Sequence, residues 1–254
     1  MVSIMNPMLE FARKKFSGKK VLAVLSSKGG VGKSTLASLL ALSLSEMGSV
    51  ALLDLDIYGN SVTKLFGMQN KLHKVSKEGI EPFKLKKLSI FSINGLIGDR
   101  YLILPGSQER SVVESFMALS NVEEDTVIID MPPGMGEELL TLTRIVKPEA
   151  IVVTLASKLS IDVVRKMLEY LKESSIRTRY FIVNMAYILS GDRKIYPFGS
   201  VEEAENLSKL YNLKLKVLPM DPEISKFIGQ LQYYDGILKK EIKELECLFS
   251  DLKK

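Results

Sequence analysis

The residues best placed to do chemistry lie in Ser26-Ser27-Lys28-Gly29-Gly30-Val31-Gly32-Lys33-Ser34-Thr35, which follows an apolar run at 21–25 and opens a helical pattern. Gly29, Gly30 and Gly32 free the backbone N–H groups, through Val31 to Thr35, to turn inward around phosphate oxygens. Lys33 supplies a point charge at the β- and γ-phosphates, and the Ser34 hydroxyl suits Mg2+. Ser27 replaces the first glycine of the usual G-x-x-x-x-G-K-[ST] spacing, and a second lysine, Lys28, stands inside the loop. The alternative is a glycine-rich turn with incidental lysines. It would have to bring strand, glycines, lysine, hydroxyl and helix into the required order by chance.

Three carboxylates extend this chemistry. Asp54 and Asp56 are separated by one residue at the end of the apolar run 50–53, and a strand period of two sends both side chains the same way. Beside a phosphate loop such a pair can order the waters of Mg2+ and orient an attacking water, and its mutual repulsion calls for a nearby cation. Asp130 ends the apolar run 127–129 and leads into Pro132-Pro133-Gly134-Met135-Gly136, a turn whose backbone N–H groups near Gly134 a γ-phosphate can order. Asn184 ends a further apolar run, 180–183. Its paired acceptor and donor suit an adenine edge, a capping or turn role being the alternative.

These residues need a scaffold that delivers strand ends to one place. Short Val-, Ile- and Leu-rich runs at 21–25, 50–53, 101–104, 126–129, 150–155, 179–183 and 214–218 alternate with amphipathic stretches at 34–47, 108–119, 137–146, 161–174, 201–211 and 235–250. That alternation predicts an α/β fold, doubly wound, with a mainly parallel sheet, helices on both faces, and the ligand at the C-terminal ends of the strands. The segment 71–94 is mixed and basic and reads as an antiparallel ribbon at the sheet edge. One domain over 1–254 is expected, with an N-terminal extension at 1–19 and a C-terminal helix from 235.

With 46% hydrophobic residues the chain can bury a full core. No apolar run reaches the ~20 residues of a membrane span, the first residues lack the apolar core of a secretory signal, and a lone cysteine, Cys247, suits a reducing compartment, so a cytoplasmic protein is expected. A net charge of +5 permits nucleic-acid or anionic-membrane contacts without demanding them.

The deviant loop K-G-G-x-G-K-[ST] resembles the Mrp, MinD and ParA group of ATPases. The runs Asp54-Leu55-Asp56-Ile57-Tyr58-Gly59 and Asp130-Met131-Pro132-Pro133-Gly134, with the trailing Leu139-Leu140-Thr141-Leu142, resemble the Mrp branch. The resemblance covers roughly 20–228. It implies ATP with Mg2+, Asp54 and Asp130 near the metal, and Asp56 positioning the catalytic water. It also implies a homodimer in which Lys28 reaches the partner's nucleotide, a contact within its own chain being the alternative. By the same likeness Asn184 reads the base, and the loop at 218–224, with Pro219 and Asp221, closes over it. ATP rather than GTP rests mainly on the likeness, since no N-K-x-D pattern is present.

In one respect the chain departs from that branch. Mrp-type chains carry a C-x-x-C pair after the Asn-Met-x-Tyr segment, whereas Asn184-Met185-Ala186-Tyr187 is followed by 188–199 without a cysteine. A four-thiolate iron-sulfur cluster needs four cysteines, and two copies of Cys247 do not supply them. This argues against a cluster held by the chain alone and leaves a role beside cluster assembly, through a cysteine-bearing partner, as one reading. The other is a positioning ATPase of the MinD or ParA kind. For membrane it would use the apolar stripe Leu238, Ile242, Leu245, Phe249 and Leu252 of the last helix, and for DNA the basic patches 84–87 and 177–179. A packed helix face and solvated lysines are the simpler readings of both features.

Overall fold

A computed structural model describes residues 6–98 and 105–246. Among the described residues, helices α1 (Pro7–Phe16), α2 (Lys33–Met47), α3 (Ser61–Leu65), α4 (Asn94–Ile97), α5 (Gly106–Leu119), α6 (Glu137–Ile145), α7 (Lys158–Glu173), α8 (Glu202–Leu210) and α9 (Ile237–Glu246) accompany nine strands. These are β1 (Lys20–Ser26), β2 (Val50–Asp54), β3 (Phe83–Leu85), β4 (Leu88–Ser92), β5 (Thr126–Asp130), β6 (Glu149–Thr154), β7 (Thr178–Ser190), β8 (Arg193–Ile195) and β9 (Lys214–Pro219). The sheet runs β3-β4-β2-β5-β1-β6-β7 with β9 beside β7. From β4 to β9 every neighbouring pair is parallel, while β3 and β8 pair antiparallel with β4 and with the far end of β7.

Each central strand is buried on both faces, and its alternation divides the core in two. On β1, Val21, Ala23 and Leu25 pack under α1, α5, α6, α7 and α8, whereas Leu22 and Val24 pack under α2, α3 and α9. This is the doubly wound sheet that the alternating pattern predicts. The parallel register brings the C-terminal ends of β1, β2, β4 and β5 to one edge, where Asp54 of β2 stands directly beside Asp130 of β5 and Ser92 of β4.

Several elements differ from expectation. Within 71–94, β3 does form an antiparallel edge, but β4 also pairs in parallel with β2 and belongs to the main sheet. Strand β7 continues past 183 because its far end closes a hairpin with β8. The stretch 7–16 is a helix, begun by Asn6, which accepts from the Met8 N–H at 3.1 Å, and docked through Ala12 and Phe16. The strand expected at 101–104 lies outside the described residues, as do Cys247 and the end of the last helix. Along α9, Leu238, Ile242 and Leu245 are buried in the core that α2 also lines, so these members of the apolar stripe are committed to the domain. Of the basic patches, Lys84 pairs with Glu124 at 3.2 Å, and Arg177 and Arg179 share Glu149.

The packing of α9 sets a stability test. Ile242→Ala should cost about 2–4 kcal/mol in urea unfolding, while Leu210→Ala, at an exposed position, should change it by less than about 0.5 kcal/mol.

Candidate functional site

The loop between β1 and α2 has the backbone its glycines predict. Gly30 and Gly32 sit at φ of 78° and 81°, in the left-handed region, and Gly32 starts α2 with no side chain capping the helix. The first N–H groups of a 15-residue helix are therefore left to a ligand, on the side where the helix dipole favours negative charge. A pocket of about 400 Å3 opens there, lined by the loop from Ser26 to Thr35 together with Asp56, Lys64, Pro133 and Ile228.

Under this loop lies a buried cluster of charge. Lys33 Nζ reaches Asp130 Oδ1 at 2.5 Å, and the Ser34 hydroxyl bonds the same carboxylate. Burial pushes Asp130 above the usual carboxylate range, with the Lys33 ammonium opposing it. Asp54 is also raised, first by burial and then by the neighbouring Asp130, against hydrogen bonds from Ser92 Oγ at 2.8 Å and the Asp56 N–H at 3.1 Å. Asp130 Oδ2 is buried with no partner among the described residues. Two adjacent carboxylates, one lysine and an orphaned oxygen make a site that asks for further positive charge. The donor set fits Mg2+, which takes one or two carboxylates and fills its octahedron with water and phosphate oxygens. Among the described residues no group of three or more His, Cys, Asp or Glu side chains forms a metal cage.

Asp56 is held at the mouth of the pocket. Its Oδ1 accepts from the N–H groups of Tyr58 at 3.2 Å and Gly59 at 2.8 Å. Any side chain at Gly59 would run into this carboxylate. Gly134, at φ 101°, donates its N–H to the Ser26 carbonyl at 2.8 Å, joining the second turn to the first. Lys28 is half-buried in the loop and makes no ion pair among the described residues. Thus Lys28, Gly29 to Thr35, Asp54, Asp56, Asp130 and Gly134 converge.

None of the proposed base contacts lines this pocket, though Asn184 bonds to the loop itself. Asn184 is buried and donates Nδ2–H to the Val31 carbonyl at 2.8 Å. Pro219 ends β9, and Asp221 caps a short 3-10 turn and accepts from the Tyr234 hydroxyl at 2.6 Å.

Three partners of the site were not singled out from sequence. Ser92 holds Asp54, Asn94 Nδ2 ties the carbonyls of Asp56 and Gly59 at 2.8 Å each, and the buried His73 accepts the Ser92 N–H on Nε2 at 3.0 Å. The available signal is the short run Leu88-Ser89-Ile90-Phe91-Ser92, a strand ending in a hydroxyl as β2 and β5 end in carboxylates.

A family model described as ParA, NUBPL iron-transfer P-loop NTPase, matches residues 17–246. The chain belongs to this family. An iron-sulfur cluster carrier protein of Aquifex aeolicus is 37% identical over 225 residues, covering 85% of this chain and 62% of that protein. A cytosolic Fe-S cluster assembly factor NUBP2 homolog of Dictyostelium discoideum is 36% identical over 220 residues, covering 82% of this chain and 83% of that protein. Among solved structures, a nucleotide-binding protein of Archaeoglobus fulgidus in complex with ADP superposes with a TM-score of 0.77 at 28% identity, over 90% of this chain and 94% of that one. The expected grouping with Mrp, MinD and ParA proteins and the doubly wound fold are both met, and the chain is a P-loop NTPase.

His73 supplies a pH test of the shell around Asp54. Burial lowers its pKa, against hydrogen bonds to Glu81 and Ser92, so the unfolded chain takes up its proton first. This contribution is complete above the unfolded-state value of about 6.5 and is lost as pH falls toward the lower folded value. Unfolding free energy should therefore drop more steeply between about pH 7 and pH 5 in the wild type than in His73→Gln, as read from urea titrations at each pH.

Proposed function

We propose that this chain is an Mg2+-dependent ATPase of the Mrp type that works as a nucleotide-controlled homodimer. The observation that carries the reading is the register-matched pair Asp54 and Asp130 beneath an uncapped phosphate loop, with Lys33 between loop and carboxylates. Lys33 bonds Asp130. Nucleotide binding draws it to the β- and γ-phosphates, where the N–H groups from Gly29 to Thr35 share the load. Bound Mg2+ would be held by Ser34, Asp54 and Asp130 and would offset charge on the phosphates. Asp56, fixed by its own turn and by Asn94, orients water at the pocket mouth. Lys28, with no ion-pair partner among the described residues, is the cation available to a second copy's γ-phosphate.

The relatives' names support a place beside iron-sulfur cluster assembly. Where the Mrp pattern has its cysteine pair, this chain has the β7–β8 hairpin, with Leu189, Ile195, Tyr196 and Phe198 exposed and no cysteine. We therefore assign the thiolates to a cysteine-bearing partner in the cytoplasm. The alternative, a MinD- or ParA-type positioning ATPase, is less well supported, because Leu238, Ile242 and Leu245 of the α9 stripe are buried in the domain and Lys84, Arg177 and Arg179 are ion-paired within it.

Substitutions separate the assigned roles. Lys33→Ala should abolish ATP binding in calorimetry. Asp56→Ala should bind ATP normally and hydrolyse it about 10²-fold more slowly, and wild-type turnover in that variant would remove Asp56 from the mechanism. Lys28→Ala should lose hydrolysis by on the order of 10³-fold together with the ATP-dependent increase in solution mass. A monomer that hydrolyses ATP at the wild-type rate would contradict the dimer.

A further inference from the structure

A second concavity lies at the opposite end of the sheet from the phosphate loop, beside the first residues of β2 and β4. It has a volume of about 500 Å3 and sits between the last turns of α2, the turn joining β3 to β4, and the short 3-10 turn that precedes α9. Ser34 and Glu46 are ~18 Å apart along α2, at about 1.5 Å per residue, and this pocket shares no lining residue with the phosphate pocket. Its walls are apolar, made by Leu39 and Leu42 of α2, Leu85 of β3 and the rings of Tyr233 and Tyr234. Tyr234 is fixed in the core, its hydroxyl donating to Asp221 and accepting from the Leu238 N–H at 3.0 Å, whereas Tyr233 is 70% exposed. Gln232 lines the same space, and its Oε1 is buried without a partner among the described residues, a polar capacity that the domain itself leaves unused.

The rim carries positive charge that nothing nearby answers. Lys86 and Lys87 form the turn between β3 and β4, both exposed, and Lys87 is tied to β2 through its carbonyl, which accepts the Val50 N–H at 3.0 Å. Neither lysine makes an ion pair among the described residues. The acidic group on the rim, Glu46, is already met by Lys239 at 3.8 Å and Lys243 at 3.5 Å, and Lys239 also pairs with Asp235 at 3.3 Å. Two unanswered cations therefore stand over an apolar interior. A cleft of this size, with apolar walls and a few charged or polar groups to fix orientation, has the form of a small-molecule site. We propose that this pocket binds a small organic anion, with its apolar body against Leu42, Leu85 and Tyr233 and its anionic head at Lys86 and Lys87. A nucleotide offers too little apolar surface for these walls, and a neutral ligand would leave the two lysines unmet.

The test is a fluorescence titration of the full chain with the dye anilinonaphthalene sulfonate and with its neutral counterpart, phenylnaphthylamine. The wild type is compared with Tyr233→Ala and with the double variant Lys86→Glu, Lys87→Glu. All three substitutions are at exposed positions, so the urea unfolding midpoint should stay at the wild-type value, which separates lost binding from lost structure. The pocket predicts one saturable sulfonate site per chain that Mg2+-ATP does not displace. Tyr233→Ala removes a wall and should weaken both dyes about tenfold. The double variant should weaken the sulfonate about tenfold at low salt and leave the neutral dye unchanged. Displacement of the sulfonate by Mg2+-ATP, or full binding retained by every variant, would place the dye elsewhere and overturn the proposal. Equal loss of both dyes in the double variant would remove the role of the anion and overturn it too, as would a wild type that binds neither dye. A fall in solution mass in Tyr233→Ala would make this face an interface between copies, against a small-molecule site.

Discussion

Asp54 and Asp130 stand side by side at the ends of two neighbouring parallel strands, inside the protein, where burial disfavours both charged forms, with Asp130 adding repulsion at Asp54 and Asp56 adding it at Asp130. Lys33 and Ser34 answer part of that charge through Asp130, and Ser92 and the Asp56 N–H answer part of it through Asp54. One carboxylate oxygen is still left over. A buried acceptor left unsatisfied costs about 1–3 kcal/mol, more for a charged group, which a cation bound there would relieve. The loop, the second turn and the segment around Asn94 are arranged about this point.

The architecture explains how so much polar chemistry is tolerated there. A doubly wound sheet buries its central strands on both faces and leaves their C-terminal ends as an edge where backbone groups and short side chains can meet a ligand. Helix α2 contributes its uncapped N-terminus to that edge while Leu36, Leu39, Leu40 and Leu44 anchor it on the sheet. The cost of placing charge in the interior is offset by packing a few residues away on the same elements.

How much of this could be read in the sequence depended on how local each feature is. The loop glycines, the Asp-x-Asp spacing and the Asp-x-Pro-Pro-Gly turn lie within a few residues of a strand end, so pattern and periodicity locate them. Strand β4 was obscured because 71–94 mixes lysines, glycine and short apolar pairs, and with it went Ser92, Asn94 and His73, whose roles exist only once β4 lies beside β2. Helix α1 is short and rich in charge, and its amphipathic face is apparent only against α5 and α6. Asn184 was conspicuous as a residue, but its hydrogen-bond partner Val31 belongs to the far end of the chain, and no local pattern encodes that contact.

The most direct test of the account is the affinity of the wild type for ATP with Mg2+ and in excess chelator. If the buried carboxylates are a cation site completed by nucleotide, Mg2+ should tighten ATP binding at least about tenfold, because the metal answers the charge that Lys33 leaves behind on Asp130. Equal affinity under the two conditions would mean that Asp54 and Asp130 serve the fold alone, and the ATPase mechanism built on them would fall.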